Sequence, residues 1–123
     1  TRKPPKLSPS QLETLTVIAY YQPATKALVE QIRGVDSAYC VSALVTKKLI
    51  RDCGRLNVPG RPNVYETTPD FLRVFGLESL AALPEIEKVD LHVDPSQVEP
   101  LEQKQEESTQ PDASAPVQQE IPL

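Results

Sequence analysis

Residues 59–77 read PGRPNVYETTPDFLRVFGL, a run in which a Pro/Gly loop, a short apolar strand and a capped helix follow one another with almost no slack. Gly60 supplies positive φ to a turn begun by Pro59, and Pro62 keeps Arg61 out of the helical region, so the run opens as a hairpin tip. The tip feeds Val64 and Tyr65 into a strand. Thr68 can cap the next helix with Pro69 in its first turn, and Gly76 stops that helix after Phe71, Leu72 and Phe75. This closes one domain near Pro84.

Upstream, Ser8-Pro9-Ser10-Gln11 carries the signature of a helix start: Ser8 at the cap, Pro9 in the first turn and Gln11 placed for a capping box. Leu12, Leu15, Ile18 and Ala19 recur at helical spacing until Pro23 ends the helix. Thr25 can cap a short second helix with Leu28, Val29 and Ile32 on one face and Gly34 at its end. Asp36 or Ser37 can cap a third, in which Cys40, Val41, Leu44 and Val45 repeat at three- and four-residue steps before Leu49-Ile50 leads into a strand that Gly54 interrupts. Three helices, strand, Gly/Pro loop, strand and closing helix is the order of a winged helix-turn-helix, an α+β fold that is mostly α, with a two-stranded wing.

Charge divides the chain unevenly. Residues 1–84 hold eleven Lys/Arg against seven Asp/Glu, a net of +4; residues 85–123 hold two against ten, a net of −8. All four Gly precede residue 77, and the run after residue 84 has no aromatic residue and is rich in Gln, Glu, Pro and Ser. Such a composition buries too little apolar surface to offset chain entropy, so residues 85–123 are expected to form a disordered acidic tail. Residues 8–84 are expected to be the folded domain. Because the chain begins at Thr1, residues 1–7 read as a linker from an N-terminal part that has been removed or left out.

The bulk properties also exclude classes. No apolar run approaches the roughly 20 residues that span a bilayer. Cys40 and Cys53 fall short of a disulfide framework or zinc spacing and read as small apolar residues, which suits a reducing, cytoplasmic setting. The only His, His92, lies in the acidic run, so no nucleophile-base set, metal cluster or cofactor cradle is visible, and an enzyme is not expected. Small helical modules of this size usually bind other molecules.

The chain resembles the C-terminal winged-helix domain of the segregation and condensation protein B family. The resemblance covers roughly residues 7–84. It rests on Leu15, Ile18-Ala19-Tyr20 and Gln22-Pro23, on Ile32-Arg33-Gly34-Val35-Asp36-Ser37, on Leu49-Ile50 and Gly54-Arg55, and above all on Pro59-Gly60-Arg61-Pro62, Tyr65, Thr67-Thr68, Phe71-Leu72, Phe75-Gly76-Leu77, Ser79-Leu80 and Leu83-Pro84. Tyr21 departs from it, standing where the family usually has a basic residue before Gln-Pro. The resemblance implies a non-enzymatic accessory subunit of the bacterial SMC-kleisin complex, acting in chromosome condensation and segregation near the nucleoid. It implies a kleisin partner, segregation and condensation protein A, and through it SMC, with homodimerisation attributed to an N-terminal winged helix that is not in view.

Two surfaces are candidates for such contacts. Tyr20, Tyr39 and Tyr65 each offer an aromatic body with a polar tip that serves either an interface or the core. Tyr39 is the preferred anchor, beside Asp36 on the first turn of the third helix and outside the Leu44 stripe, with Val58 at the wing tip a second. Arg61 can meet a partner carboxylate, or pair with Glu66 or Asp70 and hold the wing. The rival surface is a non-specific DNA contact through Lys47, Lys48, Arg51, Arg55 and Arg61 on phosphates. Asp36-Ser37-Ala38-Tyr39, where a recognition helix would enter the groove, carries an acid and no base-reading side chain, so sequence readout is not expected. Val89, Leu91 and Val93 alternate with Asp90, His92 and Asp94, a pattern that fits either a chance cluster in the tail or a strand added to a partner's sheet.

Overall fold

The computed structural model describes residues 5–101. Helix α1 spans Pro9–Tyr21, and its start is the capping box that the sequence spells out: the Gln11 N–H donates to Ser8 Oγ at 3.1 Å, and the Ser8 N–H donates to Gln11 Oε1 at 3.2 Å. Strand β1 (Ala24–Thr25) leads into α2 (Lys26–Arg33), capped by the Thr25 hydroxyl and closed by Gly34 at φ +80°. Helix α3 is Ala38–Thr46. Its start divides the two candidate caps: the Asp36 carboxylate accepts from the Ala38 N–H, while the buried Ser37 hydroxyl turns inward.

Strands β2 (Ile50–Leu56) and β3 (Asn63–Thr67) form the wing hairpin, and α4 (Pro69–Val74) closes the domain. The Thr68 hydroxyl caps α4. The Gly76 N–H then donates to Arg73 O and the Leu77 N–H to Leu72 O, the paired bonds of a Schellman ending for which Gly76, at φ +70°, supplies the left-handed residue. At the wing tip Gly60 and Arg61 both take positive φ, +86° and +41°, so Pro62 bars Arg61 from the right-handed helix and the tip goes left-handed.

The sheet has four antiparallel strands in the order β1-β3-β2-β4, two more than the hairpin alone. Beyond β1, the extra strand is β4 (Val98–Pro100), within the run expected to be a disordered tail. That expectation is corrected for residues 85–101. Val93 is 8% exposed and belongs to the core, with Leu91 and Val98 packed against it, so two of the three alternating side chains face the domain itself, while Val89 is 56% exposed. The remainder of the expected tail, 102–123, and residues 1–4 of the expected linker lie outside the described residues.

The core gathers Leu15, Ile18 and Ala19 of α1, Leu28 and Val29 of α2, Val41 and Leu44 of α3, with Leu49, Ile50 and Phe71. Two members of the expected stripes, Leu12 and Val45, stay open to solvent. Polar side chains fix the angles between these elements. Gln22 accepts from the Thr67 N–H at 3.0 Å and donates to Ala19 O at 3.0 Å, tying the end of α1 to β3. Arg33, with a side chain only 8% exposed, donates to Thr14 Oγ1 and Ser37 Oγ at 3.0 Å each and to Glu13 Oε1 at 2.8 Å. It thereby joins α1, α2 and the entry to α3.

Replacing Arg33 with Met keeps much of the volume but leaves two buried hydroxyls without their charged donor, which should cost roughly 2–4 kcal/mol. The exposed end of the pair matters far less, and Glu13→Ala should cost about 1 kcal/mol or less. Thermal denaturation of both variants checks this: Arg33→Met should melt on the order of 10 °C or more below the parent. Equal effects of the two substitutions would remove Arg33 from this role.

Candidate partner-binding surface

The sequence-predicted site residues fall at separate places. Tyr39 stands on the first turn of α3 with 79% of its surface open, the most exposed of the large apolar side chains among the described residues. Val35, in the turn between α2 and α3 four residues earlier, is half open. The Asp36 carboxyl is held below its usual range, chiefly by the Ala38 N–H, with a Glu30 hydrogen bond and Lys26 adding to the shift, so this end of α3 is firmly anionic.

Val58 and Arg61 share the wing-tip turn, where the Arg61 N–H donates to Val58 O at 2.9 Å. Arg61 does not pair with Glu66 or Asp70. Glu66 is the cross-strand register partner of Arg51 and bonds it at 2.8 Å, and Asp70 bonds Arg73 three residues on, so Arg61 turns to Glu99 of β4. Tyr65 is half-buried in β3 opposite Asp52, with its body against the core. Tyr20 is likewise bound into the fold, its hydroxyl donating to Pro84 O.

Of the proposed phosphate contacts, Arg51 and Arg61 therefore have acidic partners, and the Arg55 guanidinium donates to Arg61 O at 3.2 Å. Lys47 and Lys48 end α3, Lys48 in the left-handed conformation at φ +65° with its carbonyl accepting from the Thr68 hydroxyl at 2.7 Å. No basic side chain lies on the groove-entering turn of α3.

What the sequence reading missed is a groove between α1 and α4. Leu12, Leu15, Thr16, Ala19 and Tyr20 form one wall, and Phe71, Phe75, Leu77 and Leu83 form the other, enclosing about 270 Å³. Its lining is almost wholly apolar, and the Phe71 and Phe75 rings of the second wall meet tilted, 5.2 Å between ring centres. The signal was present in the α1 stripe: Leu12 sits at core spacing yet is 47% exposed, with no element among the described residues covering it. An open apolar groove of this size suits an aliphatic or aromatic anchor from an extended or helical segment.

Cys53 is on β2, partly buried, and Cys40 is buried in α3; both are free thiols. Desolvation, with the Glu66 and Asp52 charges adding to it, pushes the Cys53 thiol up to about 11. No group of three or more His, Cys, Asp or Glu among the described residues could hold a metal ion, and no helix among them is long and apolar enough to cross a membrane.

These features define a winged-helix module that carries an anionic Asp36 and an exposed Tyr39 at the start of α3, where a DNA reader would be basic, and an apolar groove between α1 and α4. The chain belongs to the segregation and condensation complex subunit ScpB family, whose sequence model matches residues 1–86. It is 54% identical over 86 residues to segregation and condensation protein B of Acetivibrio thermocellus, covering 70% of this chain and 43% of that protein, and 48% identical over 89 residues to that of Clostridium tetani, covering 72% and 47%. Among solved structures it is similar to ScpB from Mycobacterium tuberculosis, with TM-score 0.54 and 37% identity over 59% of this chain and 45% of that one. A conserved hypothetical protein from Chlorobium tepidum is also similar, with TM-score 0.53 and 46% identity over 55% and 42%. The chain spans less than half the length of these relatives.

The raised Cys53 thiol yields a direct check. At pH 8 it is almost wholly protonated, so iodoacetamide should alkylate native Cys53 on the order of a hundredfold more slowly than an unperturbed cysteine. The rate should climb as pH approaches 11, and mass spectrometry of the labelled chain reads it. Alkylation of Cys53 at the rate of a free thiol would contradict the burial described here.

Proposed function

We propose that this chain acts as a non-enzymatic accessory subunit of the bacterial SMC-kleisin complex, binding the kleisin in chromosome condensation and segregation within the cytoplasm. The observation that carries the reading is the open apolar groove between α1 and α4, on a member of a family of segregation and condensation subunits. An apolar side chain of a kleisin segment would fill the groove against Phe71 and Phe75, with Tyr20 at its rim. Tyr39 would add an exposed aromatic anchor, and Val58, Arg61 and Tyr65 would contribute through the wing and its strand. Buried aromatic and aliphatic anchors of this kind dominate interface energetics, while surrounding contacts exclude water. Pairing of two copies belongs to the part of the relatives that precedes this domain, and SMC is reached through the kleisin.

The second reading is non-specific DNA contact. Lys47, Lys48 and Arg55 form no ion pair with an acidic side chain among the described residues and are available to phosphates. Arg51 and Arg61 are already paired, and anionic Asp36 opposes approach at the start of α3. This reading therefore stands behind the first.

Calorimetric titration of the chain with the central segment of the kleisin from the same source, at physiological salt, tests the proposal. Saturable binding is expected, with Leu12→Asp and Tyr39→Ala each weakening it at least tenfold and Val58→Asp less, while all three variants melt near the parent because these side chains are exposed. Parent-like affinity in both Leu12→Asp and Tyr39→Ala would show that the surface is elsewhere. Binding to duplex DNA that falls steeply with salt, without kleisin binding, would favour the second reading.

A further inference from the structure

Residues 87–101 lie beyond the stretch matched to the family, yet they cross the domain and end as β4 on the outer edge of the wing. The strap is held at few points. Val93 is its one core side chain. Tyr21, the residue that departs from the family pattern, anchors its start: the Val89 N–H donates to the Tyr21 hydroxyl at 2.9 Å, and the Lys88 ammonium stands 5.1 Å over the Tyr21 ring while donating to Tyr20 O at 2.8 Å. At the wing the Asn57 N–H donates to Gln97 O at 2.8 Å, and Glu99 pairs with Arg61. A three-residue strand, one exposed ion pair to the domain and a single buried valine, with Leu91 and Val98 half-buried beside it, make a segment that opens locally at lower cost than the domain unfolds.

The edge beneath it is selective. Gly54 faces Pro100, and a Cβ there would collide with the Glu99 carbonyl, so the backbone of the added strand comes closer than any side chain at this position allows. Arg55 is the register partner of Glu99, but its guanidinium donates to Arg61 O, and it is Arg61 that pairs with the Glu99 carboxylate. Leu56 lies opposite Val98. Residues 85–101 also bring five acids and one Lys to residues 8–84, whose eight Lys/Arg and seven Asp/Glu leave a net of +1.

We infer that the β2 edge of the wing is a strand-addition site for an extended acidic peptide of the pattern aliphatic-acidic-Pro, held closed in cis by Val98-Glu99-Pro100. Backbone pairing supplies the hold, and Gly54 and Arg61 supply the selection. The strap competes as a tethered ligand, so a partner segment binds only when it outcompetes β4 or when the strap is loosened.

Fluorescence anisotropy with a labelled peptide of the sequence of residues 94–101, DPSQVEPL, tests this on the full chain at physiological salt. Against the parent, the peptide should bind Val93→Asp at least tenfold more tightly and Glu99→Gln at least threefold. The Asn57 amide should exchange with deuterium faster in both variants and be protected again at saturating peptide, and a scrambled peptide of equal charge should not bind. Should Val93→Asp lose its fold by near-ultraviolet circular dichroism, Glu99→Gln, at a half-exposed site, decides alone. Unchanged Asn57 exchange and unchanged weak peptide binding in Glu99→Gln would make β4 a permanent part of the sheet and overturn the inference. Binding that does not protect Asn57, or a gain in affinity for duplex DNA in place of the peptide, would overturn it equally.

Discussion

A buried guanidinium sets the geometry on which the other elements depend. Arg33 ends α2, and its donors reach back to Glu13 and Thr14 of α1 and forward to Ser37 at the entry of α3. The Ser37 N–H in turn donates to Glu30 at 3.0 Å, so the tight turn between the second and third helices is laced on both sides. Short helices of eight and nine residues would be marginal alone, and tertiary contacts of this kind hold them. With the three helices fixed, Leu44, Leu49 and Ile50 fill one core, the hairpin leaves it at a set angle, and α4 packs back to form the second wall of the groove.

The elements legible in the sequence were those whose causes are local. Ser8 with Gln11, Thr25 with Gly34, and Thr68-Pro69 with Gly76 each place their donors and acceptors within a few residues, and each behaves as its pattern implies. What escaped was non-local. Arg33 has a sufficient local explanation as a cation at a helix C-terminus, and nothing in its neighbourhood reveals that Thr14, nineteen residues earlier, is buried beneath it. Arg61 has two acids close by in sequence, but Arg51 and Arg73 claim them, and its partner lies 38 residues on. The strap was hidden by composition: a single buried Val93 within an acidic run has little weight against the entropy argument, although the Tyr21 departure marked where the run is anchored.

The distribution of surface chemistry separates the two functional readings. Basic side chains are dispersed, and two of the wing arginines are neutralised by glutamates of the same chain, whereas an exposed Leu12 borders an apolar groove and Val35 and Tyr39 stand open around the start of α3. The candidate site was thus half legible. Tyr39 announced itself by falling outside the core stripe, but the groove depends on how α4 returns to α1, and Leu12, at core spacing, is half open at its edge.

Backbone amide mapping by NMR most directly tests the claim that this winged helix is a protein-binding platform, using the isotope-labelled chain and the unlabelled central segment of the kleisin from the same source. The account predicts that shifted amides cluster on Leu12, Thr16, Phe75 and Leu77 around the groove, with a second set at Val35 and Tyr39. Shifts confined to Lys47, Lys48 and the wing, or no shifts at saturating concentration, would contradict it.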